Sequence, residues 1–410
     1  MNLKTDLETF MVRVGEHLFD HILPFWCGPA VDRVNGGWMA WLSNDLKPGR
    51  TQPKGLIVNA RILWAFSAAH RARPEPLYFE MAERAFDVVM NRFWDSKHGG
   101  AYWQLDDRFG VREDSKKIYG QAFYIYALAE FHRATGCEMA LARARELFGL
   151  IERHAHDAQS GGYVEVCRRD WSESGPEARL SERDMNEKKS MNNHLHVLEA
   201  YTNLYRVWRE PRVVERLREL IELFLGRILD ARTHHLHHFF DEHWAVRSDT
   251  YTFGHDIEAT WLLCEAATEL GDVALLERVR PTALKMAWTV FQDGLGSDGG
   301  LAYEGRAGKI IDAGRECWPQ AEALVGFLNA YQLAGDENFL TAAMNIWNYI
   351  EQHLVDRVHG EWFWRINPDG QPDQKLPKVS EWKGPYHATR ACLEAVNRLA
   401  KISSLQANLV

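Results

Sequence analysis

Apolar residues recur at three- and four-residue steps from Leu56 to Ala72, Tyr119 to Arg133, Asn192 to Trp208, His255 to Leu270, Trp318 to Leu333 and Tyr386 to Leu399. That is the period of helices burying one face or more. Polar breaks such as Arg73-Pro74-Glu75-Pro76, Gly136, Glu210-Pro211, Gly271-Asp272 and Gly335-Asp336 end these segments, because glycine and proline interrupt a helix. Second helices follow, as from Tyr78 to Phe93 and from Val213 to Leu229, and an opening helix near Asp6 to His21 brings the expected number to twelve.

Before each of the six segments stands an aspartate, then a glycine-rich turn and a short aromatic or alternating stretch. The copies are Asp32 to Trp38, Asp95 to Tyr102, Asp157 to Tyr163 and Asp356 to Trp362, with altered versions at Asp230, where histidines replace the glycines, and at Asp293, whose glycines come late at Gly299 and Gly300. The stretch after each turn predicts a small β-hairpin. Six units of roughly sixty residues, none shaped as a polar cap, cannot bury their helix faces alone and close best into a ring. The expected fold is therefore all-α, an (α/α)6 barrel with short β-hairpins at its active-site mouth, built as one domain over residues 1–410. The third unit is longer, and Arg168 to Lys188, with Gly175-Pro176, is expected to form a loop over the mouth.

A net charge of −9 with basic and acidic residues intermixed argues against a nucleic-acid partner, and no run is apolar enough for a membrane partner. Met1 to Phe10 lacks the layout of a signal peptide, so the expected location is cytoplasmic. The six cysteines show no C-x-x-C pair and read as reduced thiols rather than a disulfide or zinc framework. A monomer or weak homodimer is the expected assembly.

Polar and aromatic residues gather at the same phase of every unit, at the first turns of the inner helix: Asn59 and Arg61; Tyr119 and Gln121; Asn192 and His196; His255, Asp256 and Glu258; Glu316, Trp318 and Gln320; Trp382, Tyr386 and His387. Equivalent helix ends in a ring meet at one mouth, so these residues are expected to share a cavity. His194 and His196 project roughly 200° apart on a helix. The choice falls on His196, four residues after Asn192 and on its face.

A histidine at a helix start is usually a surface or satisfied core group, but three in phase with a repeat favour function. A three-histidine zinc site is the competing reading, weakened by Arg61, whose permanent charge would repel a cation. The string His234 to His238 is expected to form a loop or subsite wall. Glycoside hydrolysis needs two opposed carboxyl groups, for which only Glu258 and Glu316 are candidates. Proton transfer at a carbon beside a carbonyl fits better, since histidine serves as base and acid near neutrality and arginine would stabilise an enediolate.

Four stretches carry a resemblance: Lys189 to Tyr205 (KSMNNHLHVLEAYTNLY), Phe253 to Leu263 (FGHDIEATWLL), Cys317 to Ala323 (CWPQAEA) and Glu381 to His387 (EWKGPYH). They resemble the cellobiose 2-epimerase branch of the N-acylglucosamine 2-epimerase superfamily. The resemblance implies an (α/α)6 barrel that needs no metal or other cofactor. It also implies interconversion of glucose and mannose at the reducing end of β-1,4-linked disaccharides such as cellobiose, lactose and mannobiose, through a cis-enediol. His255 and His387 would be the acid/base pair at C2, His196 would assist at the ring oxygen and the opened aldehyde, and Arg61 would bind the oxygens that gain charge. Tyr119, Asn192 and Glu258 would hold the reducing-end sugar, with Trp318 and Trp382 stacking on sugar rings. The alternatives are an aldose–ketose isomerase acting on free mannose or glucose, an N-acylglucosamine 2-epimerase, and a non-catalytic carbohydrate-binding barrel.

Overall fold

The computed structural model describes residues 3–407 apart from Pro176 and Arg183; the Pro176 of the expected loop thus lies outside the described residues. Among the described residues the chain forms twelve helices. The outer six are α1 (Leu3–His17, a π turn at Leu18–Ile22, then Leu23–Cys27), α3 (Pro76–Asn91), α5 (Glu138–His154), α7 (Pro211–Leu223 with a π turn at Phe224–Ile228), α9 (Val273–Asp293) and α11 (Glu337–Tyr349 with a π turn at Ile350–Leu354). The inner six are α2 (Leu56–Ala72), α4 (Ile118–Thr135), α6 (Met191–Val207), α8 (Phe253–Leu270), α10 (Cys317–Ala334) and α12 (Tyr386–Ala407). Each inner helix packs on the next, and α12 returns to α2, so the ring closes as an (α/α)6 barrel. Each outer helix packs chiefly on one inner helix, α1 on α12 and the others on the helix preceding them. None of the twelve is long and apolar enough to cross a membrane.

The difference between the two layers follows from sequence. In α2 every residue from Leu56 to Ala69 is buried, Asn59, Arg61 and Ser67 included, whereas α7 buries only the stripe Val213, Leu217, Leu220, Ile221 and Leu223. A helix apolar around most of its circumference belongs inside, and an amphipathic one faces water on one side. Gly136, Gly271 and Gly335 end α4, α8 and α10 with left-handed backbone, which glycine adopts without a Cβ penalty. The three π turns left no mark in the apolar pattern.

The β segments differ from the expected hairpins in one respect. Short hairpins do form inside units, such as 104–105 with 111–113 and 304–306 with 309–312. The segment before each inner helix, however, pairs with the following unit: Lys54 with Leu105, Lys116 with Cys167, Lys189 with Phe240, Thr252 with Glu304 and Glu316 with Arg365. A bridge from Leu42 to Val379 joins the last unit to the first. These antiparallel ladders tie the inner helix starts into one rim.

The repeated aspartates hold the turns. Asp32, Asp95, Asp157 and Asp356 each accept amide hydrogens two and three residues ahead. Each also receives a buried lysine from the segment before its unit's inner helix: Lys54 at 2.6 Å, Lys116 at 3.2 Å, Lys189 at 2.8 Å and Lys378 at 2.5 Å. The fifth copy was misplaced by sequence. Gly296, not Asp293, occupies the aspartate position, its amide bonded to the Gly300 carbonyl as Asp95's is to Gly100. Asp298 there takes Arg315 at 3.1 Å, while Asp293 ends α9.

Candidate active site

Counting from the first residue of each inner helix, the second and sixth residues lie four apart and share a face. In the ring that face points to the axis. Tyr119, Asn192, Trp318 and His387 are second residues; Arg61, His196, Glu258 and Glu322 are sixth. A cavity of about 790 Å³ opens between the inner helix starts, and its lining includes Arg61, Tyr119, Asn192, His196, His255, Glu258, Trp318, Trp382 and His387. All nine residues singled out in the sequence are therefore brought together.

The fourth residue of each helix points elsewhere, which corrects the expectation that all the phased polar residues line the cavity. Gln121 accepts the Ala101 amide at 2.7 Å and donates to its carbonyl at 2.9 Å. His194 accepts the Tyr163 amide at 2.9 Å, Asp256 the Leu236 amide at 2.9 Å and Gln320 the Leu301 amide at 2.7 Å. Asn59 donates to the Gly55 carbonyl at 2.8 Å. These groups pin backbone at the rim. Glycine at 162 is required by this arrangement: its φ is 76°, and a Cβ there would sit 2.4 Å from His194 Nε2.

The three cavity histidines are each held at Nδ1. His196 Nδ1 lies 2.8 Å from Glu199 Oε2, His387 Nδ1 lies 2.7 Å from Glu322 Oε1, and His255 Nδ1 lies 2.6 Å from Thr252 Oγ1. A partner at one ring nitrogen fixes the ring plane and leaves the other for chemistry. Burial lowers the pKa of all three. It is reinforced at His255 by His238, His196 and His387, and at His387 by Arg61 and Arg390, so both stay well below the usual histidine range. The Glu322 carboxylate does not charge His387, because its oxygen is already engaged by Arg390 at 2.8 Å. The rings are therefore neutral bases at neutral pH. The Trp318 ring lies 4.7 Å from His255 and 5.7 Å from His387 between centroids. Glycine at 254 makes that possible, since a Cβ there would fall 2.6 Å from the indole.

Arg61 donates to the Trp382 carbonyl at 2.9 Å and to the Tyr119 hydroxyl at 3.0 Å, and its guanidinium lies over Phe123 and Tyr386. Its buried Nε has no protein partner, nor has Asn192 Oδ1. Burial pushes the Tyr119 hydroxyl up to about 12 against the pull of Arg61, so it remains a donor.

Beneath these groups lies a network missed in sequence. Buried Arg390 on α12 binds Glu199, Glu258 at 2.5 Å and Glu322 at 2.8 Å, and both it and Glu199 also bond the Tyr386 hydroxyl. One guanidinium cannot neutralise three buried carboxylates. Burial opposes ionisation of Glu199, yet Arg390, His196 and Tyr386 bring it down to about 2. Burial and the neighbouring Glu322 push Glu258 far above the carboxylate range, so it is a neutral acid, with an unpartnered Oε2. Glu258, Glu322 and His387 bring potential ligand atoms within 4.8 Å of one another, but the Arg390 guanidinium already fills the role of cation there. Only the sixth-residue phase marks Glu322 in the sequence. Arg390 falls on no shared phase.

The histidine string does not form a subsite wall. His235 stacks on Tyr251 at 3.5 Å and lies 2.7 Å from Asp256 and 3.3 Å from Asp293, a post replacing the missing glycines of the fourth turn. His238 Nε2 accepts the Thr252 amide at 3.2 Å.

The third unit's loop does reach the mouth: Glu177, Arg179, Leu180, Ser181 and Asp184 line the cavity, and Lys117 Nζ donates to the Leu180 carbonyl at 3.0 Å. At its base, buried Glu165 accepts the Ser190 amide at 2.7 Å. Burial raises its carboxyl to about 8 against that bond. The folded protein thus holds a proton that the unfolded chain releases near 4.5, and stability from this group is full below that pH and lost as pH rises through about 8. Glu165→Gln should accordingly show a smaller fall in urea midpoint between pH 6 and 9 than the parent; equal falls would refute the assignment.

The sequence pattern of the family described as N-acylglucosamine 2-epimerase (GlcNAc 2-epimerase) matches residues 37–391. The chain is similar to the cellobiose 2-epimerase of Bacteroides fragilis, 44% identical over 94% of this chain and 98% of that one. It is similar in structure to the cellobiose 2-epimerase from Bacillus thermoamylovorans, with a TM-score of 0.90 and 39% identity, covering 95% of this chain and 100% of the other. Similarity to the N-acylglucosamine 2-epimerase of Bos taurus is more distant, at 24% identity over 97% of this chain and 95% of that protein.

Proposed function

From the premise that the chain belongs to the N-acylglucosamine 2-epimerase family, we propose that this isomerase inverts C2 of the reducing-end sugar in β-1,4-linked disaccharides, interconverting glucose and mannose units in cellobiose, lactose and mannobiose. The observation that carries the reading is the set of three neutral histidines, each anchored at Nδ1 and turned to one cavity beside a fixed arginine. The name borne by the more similar relatives supports the disaccharide as substrate.

His196, with Arg61, assists opening of the ring to the aldehyde. A neutral imidazole, His255 or His387, removes the C2 proton, and the C2–H electron pair moves toward C1 while the carbonyl oxygen gains negative charge. Arg61 lines the cavity beside that oxygen, and a buried cation stabilises charge that develops in the transition state. Rotation about C2–C3 presents the other face of the cis-enediolate; the second histidine, having taken up a proton from solvent, delivers it to C2 as the C1 carbonyl re-forms, the first histidine releases to solvent the proton it removed, and the ring closes. Asn192, Tyr119 and neutral Glu258 hydrogen-bond the sugar's hydroxyls, and Trp318 and Trp382 cover its apolar faces.

Incubation with cellobiose in D2O followed by NMR tests this. Deuterium at C2 of a mannose-type reducing end is the expected result. A ketose product would mean reprotonation at C1 and the aldose–ketose alternative; binding without exchange would leave a carbohydrate-binding barrel.

A further inference from the structure

Of the three cavity histidines, two are backed by carboxylates and one by a hydroxyl. Thr252 is the residue before α8 and stands in the N-cap position, where a threonine oxygen ordinarily accepts an amide of the helix's first turn. In the equivalent position of the third unit Ser190 does so, its Oγ taking the Asn193 amide at 3.1 Å. Thr252 makes no such bond. Its hydroxyl lies instead 2.6 Å from His255 Nδ1, so the helix gives up a cap and the imidazole gains a partner.

Two further contacts hold the Thr252 backbone. The Thr252 amide donates to His238 Nε2 at 3.2 Å, and Thr252 pairs with Glu304 in the ladder to the next unit. The His238 carbonyl in turn accepts the Met191 amide at 2.9 Å, which ties His238 to the start of α6. Thr252 therefore has little freedom to follow His255; the ring is set by the rim.

Resting on the epimerase reading above, we propose that Thr252 is a positioning residue for His255: its hydroxyl accepts the Nδ1 hydrogen and so leaves the Nε2 lone pair facing the substrate's C2. Without that acceptor a neutral imidazole is free to carry its proton on Nε2, where it would point a hydrogen at carbon and could not act as base. The uncharged partner also makes His255 unlike His387. A carboxylate stabilises an imidazolium that forms beside it, and a hydroxyl does so far less.

The test uses the full chain with Thr252→Val, which keeps shape and removes the hydroxyl, and Thr252→Ser, which keeps the hydroxyl. Valine should lower kcat on cellobiose about tenfold, the effect of one lost hydrogen bond, with KM within about twofold. Serine should restore most of it. In 15N-labelled protein, His255 of the parent and the serine variant should show the Nδ1–H tautomer, and the valine variant should shift toward Nε2–H. Thr252→Ala serves in the same way if the valine variant fails to fold. An unchanged tautomer and kcat in the valine variant, or a serine variant as slow as valine, would overturn the proposal. Failure of the parent itself to epimerise cellobiose would count against the epimerase reading, and the nitrogen spectra would still decide the positioning role.

Discussion

Replacing His387 with alanine is expected to lower kcat for C2 inversion of cellobiose at least about 10²-fold, the scale of a lost general acid or base, and His255→Ala to do the same. Both rings line the cavity, both are neutral by burial, and the Trp318 ring lies near each. Folding should survive the His387 change, because Glu322 keeps Arg390 at 2.8 Å and the Trp261 indole at 3.2 Å. Steady-state kinetics with a circular-dichroism check of folding measures this. Either variant retaining more than a tenth of parental turnover would remove that histidine from the proton transfer.

Arg390→Met should cost about 3–5 kcal/mol of stability, the range for leaving buried charges without their partner. The guanidinium touches Glu199, Glu258 and Glu322 in a fully buried site. Its loss strands the ionised Glu199, whereas Glu258 is already neutral, so Glu258→Gln should destabilise far less. The pH dependence gives a second readout. Glu199 is held down to about 2, so its contribution is present above about 4.5 and is lost as pH falls through about 2. In Arg390→Met that acid-side loss should shrink. A change below about 1 kcal/mol in urea unfolding at pH 7 would contradict the network's role.

The opening turns of the inner helices show how much of the site was legible. Tyr119, Asn192, His196, His255 and His387 stood out because polar side chains phased with an apolar repeat have no place in a core unless partnered. The same signal drew in Asn59, Gln121, Asp256 and Gln320, which bond backbone at the rim. Counting from the helix start separates the two groups except for His255, the third residue of α8, since second and sixth residues share one face and the fourth is turned away. The start of each helix, however, is set by ladders between units, and those pairings are invisible in a single unit's pattern.

Sequence alone determined the twelve helices, their division into inner and outer layers and the common mouth, because each follows from the spacing of apolar residues within about sixty positions. Tertiary structure decided what depends on distant segments meeting. It drew Arg390 among Glu199, Glu258 and Glu322 and gave His387 its carboxylate partner Glu322, whereas Glu199 and Thr252 stand only three residues from His196 and His255. Charge state is set by what lies within a few ångströms, and the neighbours of Arg390 and His387 come from turns of the chain that only closure of the ring brings together.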